Sequence, residues 1–96
     1  MKYYFCGIGG VGMRSIAEFL NFQQNQVSGS DRAFDLNDNV QTKKRLQDKG
    51  INIFAQDGSG VTADIDCFVV STAVEDKIPD VQKALALGLT IKKRAE

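Results

Sequence analysis

Three glycines near the amino terminus constrain the fold of this chain more than any other feature of its sequence. Gly7, Gly9 and Gly12 have the spacing G-x-G-x-x-G, directly after a short apolar segment and before a helical pattern. In a strand–turn–helix unit the first glycine allows the tight turn, the second lets backbone N–H groups approach a diphosphate, and the third lets the helix pack close to the strand. The helix N-terminus then directs its unpaired N–H groups at the anion. The segment therefore predicts a diphosphate-binding loop that also includes Gly10 and Val11.

Strand and helix patterns alternate along the rest of the chain. An apolar stripe predicts a helix over residues 12–22, and a second helix is expected to end at Lys49, with Gly50 as its stop. A polar loop that runs to about Asp38 precedes the second helix, and Pro79 is suited to the first turn of a third. Strands are expected over residues 2–6, 26–29, 51–54, 66–71 and 89–92.

This alternation predicts an α/β fold with a Rossmann-like architecture. Five parallel strands joined by right-handed crossovers should form a sheet with helices on both faces. The expected strand order is 3-2-1-4-5, which places the switch point between the first and fourth strands. Ligands of such sheets bind at that point, outside the carboxyl ends of the strands. The length of 96 residues predicts one domain, residues 1–96, with a modest core.

Composition and charge argue against several classes of function. Twelve basic and twelve acidic residues give a net charge of zero, so nothing indicates binding to nucleic acid. Neither a signal peptide nor a membrane-spanning run is present, and we expect a cytoplasmic protein with no membrane contact. Cys6 and Cys67 lie in separate apolar segments and are expected to be reduced core thiols. Because the chain has no histidine and no C-x-x-C, we expect no metal site and no nucleophile–base pair.

Polar residues at the end of the second predicted strand are candidates for ligand binding. Ser30, Asp31 and Arg32 occupy this position, and Asp31 follows the last glycine of the motif by about 20 residues. At that spacing an acidic side chain reaches a ribose hydroxyl in related folds. Asp31 could instead only cap the loop, and Arg32 could equally be a solvated side chain.

A third segment is expected to meet the same crevice. Ser71, Thr72 and Ala73 follow the fourth strand, which is the most apolar run of the chain. The two hydroxyl groups could bind a phosphate or a sugar, or they could satisfy local backbone groups. The residues themselves favour neither alternative.

Four segments in this order resemble the N-terminal domain of the Mur ligases. They are Gly-Ile-Gly-Gly-Val-Gly-Met, Val-Ser-Gly-Ser-Asp, Val-Val-Ser-Thr-Ala-Val and the terminal Lys-Arg-Ala-Glu, at residues 7–13, 27–31, 69–74 and 93–96. The resemblance covers essentially the whole chain and is closest to the branch of UDP-N-acetylmuramate–L-alanine ligases and muropeptide ligases. It implies that the domain holds the UDP end of UDP-N-acetylmuramate, with the glycine loop on the diphosphate.

The same resemblance assigns roles to the other two segments. It implies that Ser30 and Asp31 face the uridine and that Ser71 and Thr72 lie near the diphosphate or the amino sugar. Members of the family continue into a central ATPase domain with a G-x-x-G-K-[ST] loop and into a C-terminal domain that helps to bind the incoming amino acid. This chain contains no G-K-[ST] and no convincing carboxylate pair for Mg²⁺.

We therefore expect a domain of a longer ligase of peptidoglycan synthesis. The chain should bind a UDP-sugar and should have no catalytic residue and no cofactor of its own, whereas ATP and Mg²⁺ are expected for the full-length parent. Two alternatives stay open. The same loop and acidic residue serve NAD in dehydrogenases, so the chain could be a NAD-binding domain. It could also be a free-standing nucleotide-sensing module that regulates a partner.

Overall fold

Five parallel strands and four helices make up the regular structure of the computed structural model, which describes residues 1–72 and 74–94. The strands are β1 (Lys2–Cys6), β2 (Gln26–Ser30), β3 (Asn52–Ile53), β4 (Cys67–Ser71) and β5 (Ile91–Arg94). The helices are α1 (Val11–Phe22), α2 (Arg32–Asp35), α3 (Val40–Asp48) and α4 (Pro79–Ala86). The sheet order is β3-β2-β1-β4-β5, which confirms the predicted fold class and topology.

Apart from shifts of one residue at element ends, the observed elements differ from the sequence-based expectation in three places. The predicted polar loop contains the one-turn helix α2, because the Asp31 side chain accepts a hydrogen bond from the backbone N–H of Ala33 and caps it. Strand β3 has two residues, since the N–H of Ile51 bonds to a carbonyl at the end of α3. Strand β5 begins two residues later than expected, because Leu89 closes the end of α4 through a hydrogen bond to Ala84.

Alternating side chains of the central strands fill two separate cores, one on each face of the sheet. Phe5 and Val69 point to one face, where α1, α2 and α3 cover them. Tyr4 and Phe68 point to the other face, where α4 and the segment around Val61 cover them. Because both faces of the sheet are covered, the central strands are apolar along nearly their whole length, as expected for a parallel sheet. No helix in the described ranges is long and apolar enough to cross a membrane.

Helix α3 is attached by few contacts. Leu46 is the helix's one buried residue. The carboxylate of Glu18 on α1 completes the attachment, at 2.9 Å from the ammonium of Lys49 and 3.2 Å from the guanidinium of Arg45. This half-exposed ion-pair group orients the helix more than it stabilises it.

Two glycines differ sharply in the space around them. A Cβ at Gly29 would overlap the carbonyl oxygen of Phe5 and would lie 2.9 Å from the side chain of Ile8, because β1 and β2 pair closely at this point. A Cβ at Gly12 would meet nothing within 4 Å. The expectation that Gly12 permits close packing of helix and strand is therefore wrong, and Gly29 is the position that requires the absence of a side chain.

We expect Gly29→Ala to lower the free energy of unfolding by about 1–3 kcal/mol, because the backbone of β1 must shift to admit the methyl group. Gly12→Ala is the matched control. It should leave stability unchanged or raise it by up to about 1 kcal/mol, since alanine favours the helix and open space surrounds the site. Urea unfolding measures both changes, and equal stabilities for the two variants would contradict this account of β1–β2 packing.

The buried thiol of Cys6 predicts a pH effect on stability. Burial, helped by the nearby charge of Asp80, raises the pKa of Cys6 to about 12 from an ordinary value of 9.0. The thiol then ionises in the unfolded chain at a lower pH than in the folded one, so its contribution to stability is complete below pH 9 and is lost as the pH rises toward 12. Between pH 8 and 10 the unfolding free energy should fall more steeply for the wild type than for Cys6→Ala. Parallel curves would show that the folded thiol titrates normally.

Candidate functional site

A cleft of about 480 Å³ opens at the switch point, between the carboxyl ends of β1 and β4. This is the place where the topology predicts a ligand. Five of the residues predicted from the sequence line it: Gly7, Gly10, Asp31, Arg32 and Ser71. The other lining residues are Gln56, Val74, Glu75, Lys77 and Ile78. The cleft thus brings together the glycine loop and the loops that follow β2, β3 and β4.

Gly7 makes the turn that leads from β1 into the loop. Its φ is +92°, a left-handed conformation that glycine adopts without strain, as the motif predicts. The N–H groups of Gly7 and Ile8 both donate to the carbonyl oxygen of Ser30, at 2.8 and 3.0 Å. The N–H of Gly10 donates to the carbonyl of Gly7 at 3.2 Å. Protein acceptors therefore already engage these three amides.

Gly9 is adjacent to a carboxylate of the protein itself. Its N–H donates to Asp31 Oδ2 at 2.8 Å, and the other oxygen of Asp31 accepts the N–H of Ala33 at 2.9 Å. A Cβ at Gly9 would lie 2.9 Å from Asp31 Oδ2 and 3.1 Å from the ring of Phe34. The structure thus gives an internal reason for the glycine, where the sequence suggested only the approach of a phosphate.

The first turn of α1 provides the remaining amides of the loop. Gly10 precedes the helix in an extended conformation, and no side chain caps the helix end. The N–H groups of Val11, Gly12 and Met13 have no acceptor within an α-helix, which leaves them for solvent or for an anion. Val11 is 71% exposed, so this end of the helix is open.

Ser30 lies beneath the cleft instead of on its surface. The residue is completely buried, and its hydroxyl group donates to Asp80 Oδ2 at 2.5 Å. Ser30 therefore shapes the glycine loop through its carbonyl oxygen, and its side chain does not reach the cleft. Arg32, the other neighbour of Asp31, is exposed at the cleft wall with its charge available to a ligand.

The segment after β4 forms the opposite wall. Ser71 is buried at the base of the cleft, whereas Thr72 is exposed and its N–H donates to the carbonyl of Arg94 at 2.9 Å, which extends the pairing of β4 with β5. The third predicted residue of this segment, Ala73, lies outside the described residues. Farther along, the ammonium of Lys77 lies 3.1 Å from the carboxylate of Glu75.

Sequence reasoning missed the contributions of Gln56, Glu75 and Lys77. Each follows the carboxyl end of a parallel strand by several residues, which is the available signal for cleft residues in this fold. The side-chain amide of Gln56 donates to Cys6 Sγ at 3.5 Å and to Ser30 Oγ at 3.4 Å, so it joins the cleft to the buried residues below.

We expect Asp31→Ala to destabilise the fold by about 1–2 kcal/mol, since both the Gly9 amide and the first turn of α2 lose their acceptor. Arg32→Ala is the neighbouring control and should change stability by less than about 0.5 kcal/mol, because its side chain is exposed. Chemical denaturation of the two variants provides the measurement. An Asp31→Ala protein as stable as the wild type would show that the carboxylate does not hold the loop.

Comparison with known proteins gives a consistent result. Residues 2–96 match the model of the Mur ligase family, catalytic domain. The UDP-N-acetylmuramate–L-alanine ligase of Agrobacterium fabrum is 40% identical over 93 residues, which are 97% of this chain and 19% of that protein. The corresponding ligase of Bdellovibrio bacteriovorus is 36% identical over 95 residues, 99% of this chain and 20% of that protein.

Solved structures agree with the sequence comparison. The crystal structure of UDP-N-acetylmuramate-alanine ligase MurC from Thermotoga maritima superposes with a TM-score of 0.85 at 29% identity and covers 98% of this chain and 21% of its own. A murein peptide ligase from Psychrobacter arcticus shares the fold, with a TM-score of 0.76 at 22% identity over 96% of this chain and 18% of its own. The chain spans about a fifth of the length of these relatives. Since the family model matches residues 2–96 and a relative 40% identical covers 97% of the chain, the chain belongs to the Mur ligase family.

Proposed function

We propose that this chain is the N-terminal domain, residues 1–96, of an ATP-dependent Mur ligase and that it binds the UDP moiety of UDP-N-acetylmuramate or of its peptide. The observation that carries the proposal is the cleft at the switch point, in a chain of this family, lined by the glycine loop and by the ends of β2 and β4. A cleft of about 480 Å³ has the size of a site for a small molecule.

Positive charge at the rim supports a diphosphate as the ligand. Arg32 on one wall and Lys77 on the other are exposed, and each can turn toward an anion in the cleft. The open first turn of α1 adds the N–H groups of Val11 and Gly12 and the positive end of the helix dipole. We assign the diphosphate to this end of the cleft. The N–H of Gly9 bonds to Asp31 and so stabilises the loop.

Hydrogen-bonding groups along the cleft support a nucleoside next to the diphosphate. Each oxygen of Asp31 accepts one backbone N–H and retains capacity for a second donor, such as a ribose hydroxyl or the N3–H group of uracil. Glu75 lies on the opposite wall, and Ser71 lies at the base. Asp31 therefore acts on the ligand in two ways, by contact and by holding the loop.

The remaining parts of the reaction belong to the longer parent. Ligation requires ATP to activate a substrate carboxylate, and we assign ATP and Mg²⁺ to central and C-terminal domains that these 96 residues do not include. The proposed pathway is peptidoglycan synthesis in the cytoplasm, with this domain contributing substrate binding and no catalytic residue. The dehydrogenase alternative receives no support from the relatives named above, which bear the names of ligases.

Titration of the ¹⁵N-labelled chain tests the proposal. UDP-N-acetylmuramate should shift the amide resonances of the glycine loop (residues 7–12), of Asp31 and Arg32, and of Ser71 and Thr72, at lower concentration than NAD does. UDP alone should shift the loop and Asp31. Affinity should be modest, because the domain by itself encloses the ligand on few sides.

Two results would contradict the proposal. If NAD shifts the amide resonances more strongly than any UDP compound does, the chain is a dinucleotide-binding domain instead. Shifts confined to residues outside the cleft would show that the switch point of this sheet is not the binding site. Lys43→Ala on α3, which is remote from the cleft, serves as the control and should bind like the wild type.

A further inference from the structure

A buried carboxylate lies beneath the proposed nucleotide site and has no part in the function described so far. Asp80, in the first turn of α4, is completely buried. Its Oδ2 accepts the hydroxyl groups of Tyr4 at 2.7 Å and of Ser30 at 2.5 Å, and its Oδ1 accepts the N–H of Gly58 at 2.7 Å. Since a buried carboxylate is costly without such partners, this set of bonds must persist for the fold to be stable.

Asp80 and two of its partners, Ser30 and Gly58, lead to three different walls of the cleft. Ser30 is the residue whose carbonyl oxygen holds the amides of Gly7 and Ile8, so its position sets that of the glycine loop. Gly58 belongs to the loop that carries Gln56, a lining residue. Asp80 itself follows the segment that places Lys77 and Ile78 on the opposite wall.

We propose that Asp80 is a positioning residue for nucleotide binding, which joins the glycine loop, the loop around Gly58 and the β4–α4 segment into one arrangement before the ligand arrives. The inference rests on the proposed function, since it concerns the same cleft. Asp80 touches no ligand in this account. It acts through Ser30 and Gly58, and it lowers the cost of binding because the walls are already in place.

The chemistry of the group favours a carboxylate over an amide at this position. Two hydroxyl groups face one oxygen and a backbone N–H faces the other, so three donors converge on Asp80. An asparagine presents one oxygen and one NH₂ group: either the NH₂ group faces the N–H of Gly58, or it faces Tyr4 and Ser30, whose hydroxyl groups must then accept instead of donate. Asp80→Asn therefore retains the shape of the side chain and either breaks the link to Gly58 or reverses the links to Tyr4 and Ser30.

The test compares the affinities of Asp80→Asn and a matched core variant for UDP-N-acetylmuramate. Leu46→Ala serves as the control, because Leu46 is fully buried in the core on the opposite face and is not a cleft residue. At a temperature where each protein is folded, Asp80→Asn should bind at least about fivefold more weakly than the wild type, and Leu46→Ala within about twofold of it. In the free protein, Asp80→Asn alone should also move the amide resonances of Gly7 and Ile8.

A second variant covers the case in which Asp80→Asn does not fold. Ser30→Ala removes one donor and leaves the bonds from Tyr4 and Gly58, and it should weaken binding at least about twofold while it moves the same two loop resonances. Affinities within about twofold of the wild type for Asp80→Asn, or unchanged affinity and loop resonances for Ser30→Ala, would overturn the inference. A wild-type chain that binds no UDP compound would instead refute the proposed function, while the loop resonances would still report on the network.

Discussion

The hydrogen bonds made by Ser30 are the interaction on which the arrangement of this domain depends. Its carbonyl oxygen accepts two consecutive N–H groups of the glycine loop, and its hydroxyl group donates to the buried carboxylate of Asp80. One residue thus connects the end of β2 with the turn that leaves β1 and with the start of α4. Because Ser30, Ile8 and Asp80 are completely buried, the loss of their bonds would leave unsatisfied polar groups, and the arrangement is correspondingly rigid.

Asp31 extends the same network to the surface. The carboxylate bonds to the glycine loop on one side and to the first turn of α2 on the other, which ties two walls of the cleft together. Folds of this class commonly use an acidic residue at the end of the second strand for the ligand. In this chain the residue holds the loop through Gly9, so the proposed ligand contact would be coupled to loop geometry through one side chain. The proposed diphosphate is consequently assigned toward the first turn of α1.

The cleft combines charges of both signs in a way that suits a nucleoside diphosphate. Arg32 and Lys77 lie on facing walls, and Asp31 and Glu75 lie among them. Cations and open helix amides suit the diphosphate, and carboxylates suit the hydroxyl and N–H donors of the nucleoside. The ion pair between Glu75 and Lys77 is exposed, so its rearrangement around a ligand costs little.

Much of the fold was predictable from the sequence because the relevant signals are local. The glycine spacing, the alternating patterns and the apolar run of β4 led to the correct sheet order, since parallel strands with right-handed crossovers allow few topologies. The exceptions have tertiary causes. Helix α2 forms because Asp31 caps it, and β5 begins two residues later because the N–H of Leu89 bonds back to Ala84 in α4.

The sequence by itself determined the fold class, the place of the cleft and the membership of Gly7, Gly10, Asp31, Arg32 and Ser71 in it. Only the tertiary structure decided that Ser30 lies under the cleft and that Gly9 faces a carboxylate of the protein. It also decided that the close approach of the backbone requires a glycine at position 29 and not at position 12. The physical reason is the range of the interactions. Turn and helix signals act over a few neighbouring residues, whereas these contacts join residues that are brought together when β2 pairs with β1 and α4 packs beneath them.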